Sequence, residues 1–296
     1  MNVITLIASQ IPLEKSHIDM VRNDITKAGA TVGEVVWLSP NKAVDIFFDG
    51  VSPETAQARV QMILLDYPID VIAQPVENRR KKMLISDMDS TLIHQECIDE
   101  LAAFVGLKDK VSEITERAMN GEMCFKEALR ERVLLLKGLS ETVFEETYRE
   151  AITHMEGAEV LTRTMRENGA FCLIVSGGFT VFTSRVKEDL GFHHDISNIF
   201  KIKDGFLTGE VIEPIHDKTA KLKALNAHAE ALEITAEQVV AVGDGANDLP
   251  MLLAAGLGIA YHAKPAVKAQ AKHSINYNDL TALLFAQGYK EDEFFA

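Results

Sequence analysis

Cysteine is scarce in this 296-residue sequence: only Cys97, Cys124 and Cys172 are present. The count is odd and no C-x-x-C occurs, so a disulfide framework is not expected and reduced thiols are. Positive charge is also short. Lys and Arg number 30 against 44 Asp and Glu, a formal net charge of −14. That balance excludes a general binder of nucleic acid or acidic membrane, whose phosphates want clustered Lys and Arg. It also means that an anionic substrate needs a local cation. No apolar run approaches the roughly 18 residues of a membrane span. The opening "MNVITLIASQIPLEK" lacks a basic n-region and a long h-region, so no secretory leader is expected and the cytoplasm is.

Apolar residues make up 47% of the chain and charged residues 25%, which suits a soluble protein with a sizeable core. Residues 1–76 read as a small unit. "VITLIA" is a strand. Ile18, Val21, Ile25 and Ala28 then follow helical spacing, stopped by Gly29. "TVGEVVWL" and "AVDIFF" are strands around a polar turn. Ser52-Pro53 opens a second helix with Ala56, Val60, Ile63 and Leu64 inward, and "IDVIAQ" closes the unit. The order β-α-β-β-α-β is ferredoxin-like α+β. "ENRRKK", residues 77–82, reads as a solvated linker, with a phosphate-binding patch as the lesser alternative.

From residue 83 to 296 short buried strands alternate with helices: "KMLISD", "AFCLIVSGG", "QVVAVGDG", "GLGIAY" and "HSINY". This is the α/β pattern of a Rossmann-like, mostly parallel sheet. Residues 97–156 interrupt it with helices only, an inserted helical cap. "NIFKIKDGFLTGEVI" reads as a hairpin with Asp204-Gly205 at its turn.

Three strand tips share a character. The first carries Asp87 and Asp89, the second Ser176-Gly177-Gly178, and the third Asp244, Asn247 and Asp248. Ligands of open parallel sheets sit beyond such ends. If the three strands are neighbours, four carboxylates converge, and a cation must neutralise them. Oxygen-only ligands with room for water point to Mg²⁺. Each motif alone has a plain reading as a turn, cap or loop. The first is not an EF-hand loop, because Leu92 stands where glycine is required. "GDGAND" is not a dinucleotide fingerprint, because Asp248 replaces the third glycine.

One helical stripe is unusual. Phe125, Leu129, Arg132 and Leu136 fall on one face of the insert, so a charge sits on an apolar stripe. A buried charge wants a partner. The alternative is an arginine snorkelling to the surface.

"DMDST", "SGG" and "GDGAND", in this order, resemble the motifs of the haloacid dehalogenase-like phosphatases, over residues 83 to about 290. Within that superfamily the resemblance is strongest to members that act on O-phosphoserine, carried by "DMDSTLIHQECIDELA", "AMNGEMCFKEALRERVLLLKG" and "VGDGANDLPML". Residues 1–76 resemble the ACT-type regulatory domain that some members carry. The resemblance implies Asp87 as the nucleophile that forms an aspartyl-phosphate and Asp89 as acid and base. It implies Mg²⁺ on Asp87, Asp244 and the backbone carbonyl of Asp89, with Asp248 and Asn247 supporting that shell. Ser176 and the N–H of Gly177 would bind phosphate oxygens. Glu96, Met119, Phe125 and Arg132 fall at substrate-contact positions, with Arg132 on a carboxylate and Glu96 on an ammonium. Met119 and Phe125 read equally well as core. A lysine should complete the phosphate cradle; alignment by the following helix favours Lys218 over Lys221, and Lys223 is a third option. The resemblance also implies a homodimer and L-serine as a ligand of the first unit. The residues do not distinguish water from another alcohol as phosphoryl acceptor, nor exclude an amino-acid sensor with secondary phosphatase activity.

Overall fold

The structure is a computed structural model and describes residues 1–119 and 122–295, with the side chains of Met119 and Lys218 outside the description. The first unit runs β1 (Asn2–Ala8), α1 (Lys15–Lys27), β2 (Thr31–Ser39), β3 (Ala43–Asp49), α2 (Pro53–Ile63) and β4 (Ile69–Pro75). Its sheet is antiparallel in the order β2-β3-β1-β4, the ferredoxin-like arrangement. Ile18, Val21 and Ile25 of α1 pack on the same core as Ala56 and Val60 of α2. Ser52 caps α2 by accepting a hydrogen bond from the Thr55 N–H, with Pro53 at the first turn.

The second unit begins with β5 (Met83–Ser86). A four-helix insert follows: α3 (Cys97–Ala103), α4 (Lys108–Met119), α5 (Phe125–Leu135) and α6 (Val143–Ala151). The chain returns through α7 (Ala158–Glu167), β6 (Phe171–Phe179), α8 (Thr180–Leu190), β7 (His194–Lys203) and β8 (Phe206–Ile212). It ends with α9 (Lys218–Ala231), β9 (Val239–Gly243), α10 (Leu249–Ala254), β10 (Leu257–Tyr261), α11 (Pro265–Lys268), β11 (His273–Ile275) and α12 (Ala282–Ala286). The seven-stranded sheet has the order β11-β10-β9-β5-β6-β7-β8, parallel except for the β7–β8 hairpin. Every residue of β5 is buried, as expected of a strand covered on both faces. The chain moves outward from β5 through β6, then restarts on the other side of β5 at β9. That switch between β5 and β9 is where such sheets open a binding crevice.

The segment 77–82 is not the solvated linker expected. Arg79 is 9% exposed and grips Asp45 with two nitrogens, at 2.6 and 2.7 Å. It also donates to Thr5 Oγ1 and to the Ala286 carbonyl. Lys81 is buried and donates to the Glu237 carbonyl. A charge run is solvated only if no tertiary partner exists, and here partners come from both units. Nearby, the buried carboxylate of Asp70 accepts the consecutive backbone N–H groups of Asn276, Tyr277 and Asn278. The two units are joined by buried, hydrogen-bonded charge rather than by a loose tether. The tail also packs: Phe294 lies against Phe285, and the Phe295 N–H donates to Thr164.

Candidate active site

Strands β5, β6 and β9 are adjacent, so their tips meet. Asp87 follows β5 directly, and its N–H still donates to the Val242 carbonyl on β9. One carboxylate oxygen accepts from the Met88 N–H. The other lies 2.6 Å from Lys221 Nζ on α9. Lys221 is 2% exposed and also sits 2.5 Å from Asp248 Oδ1. Asp248 is fully buried and accepts a second hydrogen bond from the Gly245 N–H. This close seat requires Gly243: a Cβ there would fall 2.4 Å from the Asp248 carboxyl carbon. Thr91 donates to Asp244 Oδ1 at 3.1 Å.

On α9 the lysine that meets the Asp87 and Asp248 carboxylates is Lys221. The physical reason is the helix face. Lys221 shares the inward stripe of α9 with Ala224, Leu225 and Ala229, all buried. Lys218 begins the helix, and its side chain lies outside the described residues. Burial works against the Lys221 charge, but Asp248 and Asp87 outweigh it and hold the ammonium protonated.

Asp87, Asp244 and Asp248 offer carboxylate oxygens all within 4.8 Å of one another. The donor set is oxygen only, with no sulfur or imidazole, which fits a hard divalent cation. Burial and then Asp87 push the Asp244 carboxyl up to about 6. Asp89, two residues after Asp87, accepts the N–H of Cys97 at the first turn of α3. Burial and the Asp87 charge push it up to about 7, the range suited to a group that gives and takes protons near neutrality. The Cys97 thiol beside it is pushed well up by burial and by Asp89, so it stays protonated and unreactive.

The sign of these shifts makes a stability prediction. An unfolded aspartate ionises near 3.9, whereas Asp244 and Asp89 hold protons to about 6 and about 7. Between those limits the folded state binds more protons, so metal-free stability falls as pH rises through that window. A bound cation offsets the repulsion. Thermal melts should show Mg²⁺ raising Tm more near about pH 8 than near about pH 5. Equal shifts at both pH values would contradict a metal at these carboxylates.

A cavity of about 860 Å³ gathers the remaining groups between the sheet and the insert. Asp87, Asp89, Glu96, Phe125, Arg132, Ser176, Gly177, Asp244 and Asn247 all line it. Asp248 lies behind them, beneath the Gly243–Gly245 turn. Met119 ends α4, and its side-chain placement lies outside the described residues. Arg132 does not snorkel: it is 7% exposed, with Nη1 donating to Thr115 Oγ1 and Nε to the Ala128 carbonyl. Thr115 donates in turn to Asp99. No described protein group pairs with Nη2, so the guanidinium keeps a donor for the cavity. Glu96 accepts from Ser90 Oγ. Burial first, then Asp89 and Asp244, raise its carboxyl well above the usual range. Phe125 roofs the tip of β6, its ring 3.0 Å from where a Cβ of residue 177 would stand, a close approach that glycine permits without displacing the ring. The cavity also takes in Lys126, Asp217 and Lys264, which sequence reasoning did not single out. Among them, Lys126 and Asp217 pair at 3.4 Å.

Residues 84–253 match the haloacid dehalogenase-like hydrolase family. The phosphoserine phosphatase of Saccharomyces cerevisiae is 36% identical across 99% of this chain and 98% of its own. That of Archaeoglobus fulgidus is 47% identical over 73% of this chain, and the aligned part spans 63% of that protein's length. Among solved structures, a hydrolase of this family from Salmonella enterica subsp. enterica serovar Typhi superposes with a TM-score of 0.84, at 29% identity, covering 99% of this chain and 100% of that one. The motif residues lie on adjacent strand tips under the insert, and the family match spans residues 84–253, so the protein belongs to the haloacid dehalogenase-like hydrolases.

Proposed function

We propose that the protein hydrolyses O-phospho-L-serine to L-serine and phosphate, with Mg²⁺ as cofactor, as the last step in making serine. The observation that carries this is one cavity lined by Asp87, Asp89, Asp244 and Ser176 together with Glu96 and Arg132, with the Lys221 ammonium paired to Asp87 beside it. A phosphate dianion is drawn to Lys221, Ser176 and the backbone at Gly177. The serine carboxylate pairs with the planar fork of Arg132, and the ammonium with Glu96. Asp87 attacks phosphorus in line, forming its acyl-phosphate bond as the phosphorus–Oγ bond breaks. Asp89 gives its proton to the departing oxygen. It then takes a proton from the water that attacks phosphorus, which frees phosphate and restores Asp87. Mg²⁺, held by Asp87, Asp244 and the carbonyl of Asp89 with Asp248 and Asn247 in support, would neutralise charge on the transferring oxygens when bound.

The test is phosphate release from a panel of small phosphomonoesters, with and without Mg²⁺. O-phosphoserine should be the best substrate, and chelation should stop turnover. Absence of release from every ester would sink the reading, and transfer to an added alcohol in preference to water would redirect it. One variant probes the substrate end. Arg132→Lys should raise KM for phosphoserine roughly ten- to a hundredfold by losing the planar fork. Phosphoethanolamine, which has no carboxylate, should be turned over with nearly unchanged KM.

The proposal extends to the first unit as an ACT-like domain that pairs in a homodimer and takes L-serine. It also places the enzyme in the cytoplasm. The edge strand β2, with Trp37 38% exposed on it, supports the pairing.

A further inference from the structure

Strand β6 does not run evenly beside β7. Val175 pairs with Ile196 and Phe179 with Asn198, so the Ser176-Gly177-Gly178 tip bows out of the ladder. Bulges next to active sites re-aim backbone groups, and something must hold the re-aimed peptide. Asn198 fills that place. It is 1% exposed, and its amide faces two segments at once. Nδ2 donates to the Gly177 carbonyl at 2.9 Å and to the His216 carbonyl at 3.3 Å. Oδ1 accepts the His216 N–H at 2.8 Å. The flipped amide would set oxygen against two carbonyls, so the chemistry allows only this orientation.

The consequence reaches the hydroxyl of Ser176. In a trans peptide the C=O and N–H point in opposite directions. Asn198 draws the Gly177 carbonyl away from the cavity, so the N–H of Gly178 turns the other way. That N–H donates to Ser176 Oγ at 2.9 Å. With one lone pair so engaged, the Ser176 hydroxyl has its proton left to donate, and no described protein group accepts it.

We propose that Asn198 is a positioning residue for phosphate: it orients the Gly177–Gly178 peptide, which fixes Ser176 as a hydrogen-bond donor to the phosphoryl group. This rests on the phosphatase reading above. It assigns Asn198 no contact with substrate.

The experiment uses the full chain with Mg²⁺ and compares wild type, Asn198→Asp, Asn198→Ala, Ser176→Ala and Asn198→Asp/Ser176→Ala. Asn198→Asp keeps the volume and the acceptor for His216 but turns a carboxylate oxygen on the Gly177 carbonyl. Inhibition by inorganic phosphate should weaken roughly tenfold or more in both Asn198 variants, with kcat/KM falling alongside. Preference for phosphoserine over phosphoethanolamine should stay within about twofold of wild type, because the Arg132 end is untouched. In the Ser176→Ala background, Asn198→Asp should cost far less, since its route of action is already gone. Unchanged phosphate inhibition, fully additive losses, or failure of both Asn198 variants to fold would each overturn the assignment. A wild-type protein with no phosphate release would instead defeat the underlying reading, which separates the two failures.

Discussion

Asp87→Asn should abolish phosphate release from O-phosphoserine and leave the fold intact. The expected loss in kcat is at least about four orders of magnitude, the scale on which removal of a covalent nucleophile is felt. The amide is a far weaker nucleophile than the carboxylate it replaces, and it takes one ligand from the proposed metal shell. Stability should move differently. Asp87 is a cause of the raised carboxyls at Asp89 and Asp244, so neutralising it relieves repulsion in the metal-free protein. Lys221 keeps Asp248 as its counter-ion. Thermal melts in chelator should therefore place the variant at or above wild type, and the Mg²⁺-induced rise in Tm should shrink. Steady-state kinetics and trapping of the phosphorylated chain by mass spectrometry check the two halves. Activity within about tenfold of wild type, or a phosphorylated intermediate on the variant, would falsify the nucleophile assignment.

The site was legible wherever its chemistry is local. Asp87 and Asp89 are two residues apart at the end of an apolar run, and Asp244 and Asp248 share one turn. Strand ends in a parallel sheet then bring the groups together without any knowledge of side-chain packing. Arg132 was legible because a charge on an apolar helical stripe is an anomaly, and its 7% exposure bears that reading out. The same reasoning applied to α9 would have found Lys221, which precedes Ala224, Leu225 and Ala229 by three, four and eight residues. What sequence could not show depends on partners far away in the chain. Arg79 reads as one of six solvated residues until Asp45, 34 positions earlier, closes on it. Asn198 sits in an ordinary strand, and only the bowed tip of its neighbour makes it significant.

Lys221→Met should be the most damaging change outside the nucleophile, and Lys218→Met should be nearly silent. The methionine matches length and apolar volume but carries no charge. It leaves Asp87 and Asp248 facing one another in a buried place that held an ammonium 2.6 and 2.5 Å away. Removing one partner of a buried ion pair typically costs about 3–5 kcal/mol, because the remaining charge is stranded. Tm should therefore fall by several degrees in chelator, and Mg²⁺ should recover part of the loss by standing in for the missing charge. Catalysis should fall by roughly a thousandfold even with Mg²⁺ saturating, since a preorganised cation beside the transferring oxygens is lost. The reason to expect so unequal a pair is geometric. Lys221 is 2% exposed on the inward face of α9, whereas Lys218 is the first residue of that helix, one turn earlier. Lys218→Met should stay within about threefold of wild type in kcat/KM, an effect below 1 kcal/mol in barrier. Parallel kinetics and melts of the two variants decide between them: a collapse at Lys218 with near-normal turnover at Lys221 would mean that the phosphate in the working enzyme is held from the start of α9, and that the buried ammonium serves only to fold the carboxylate cluster.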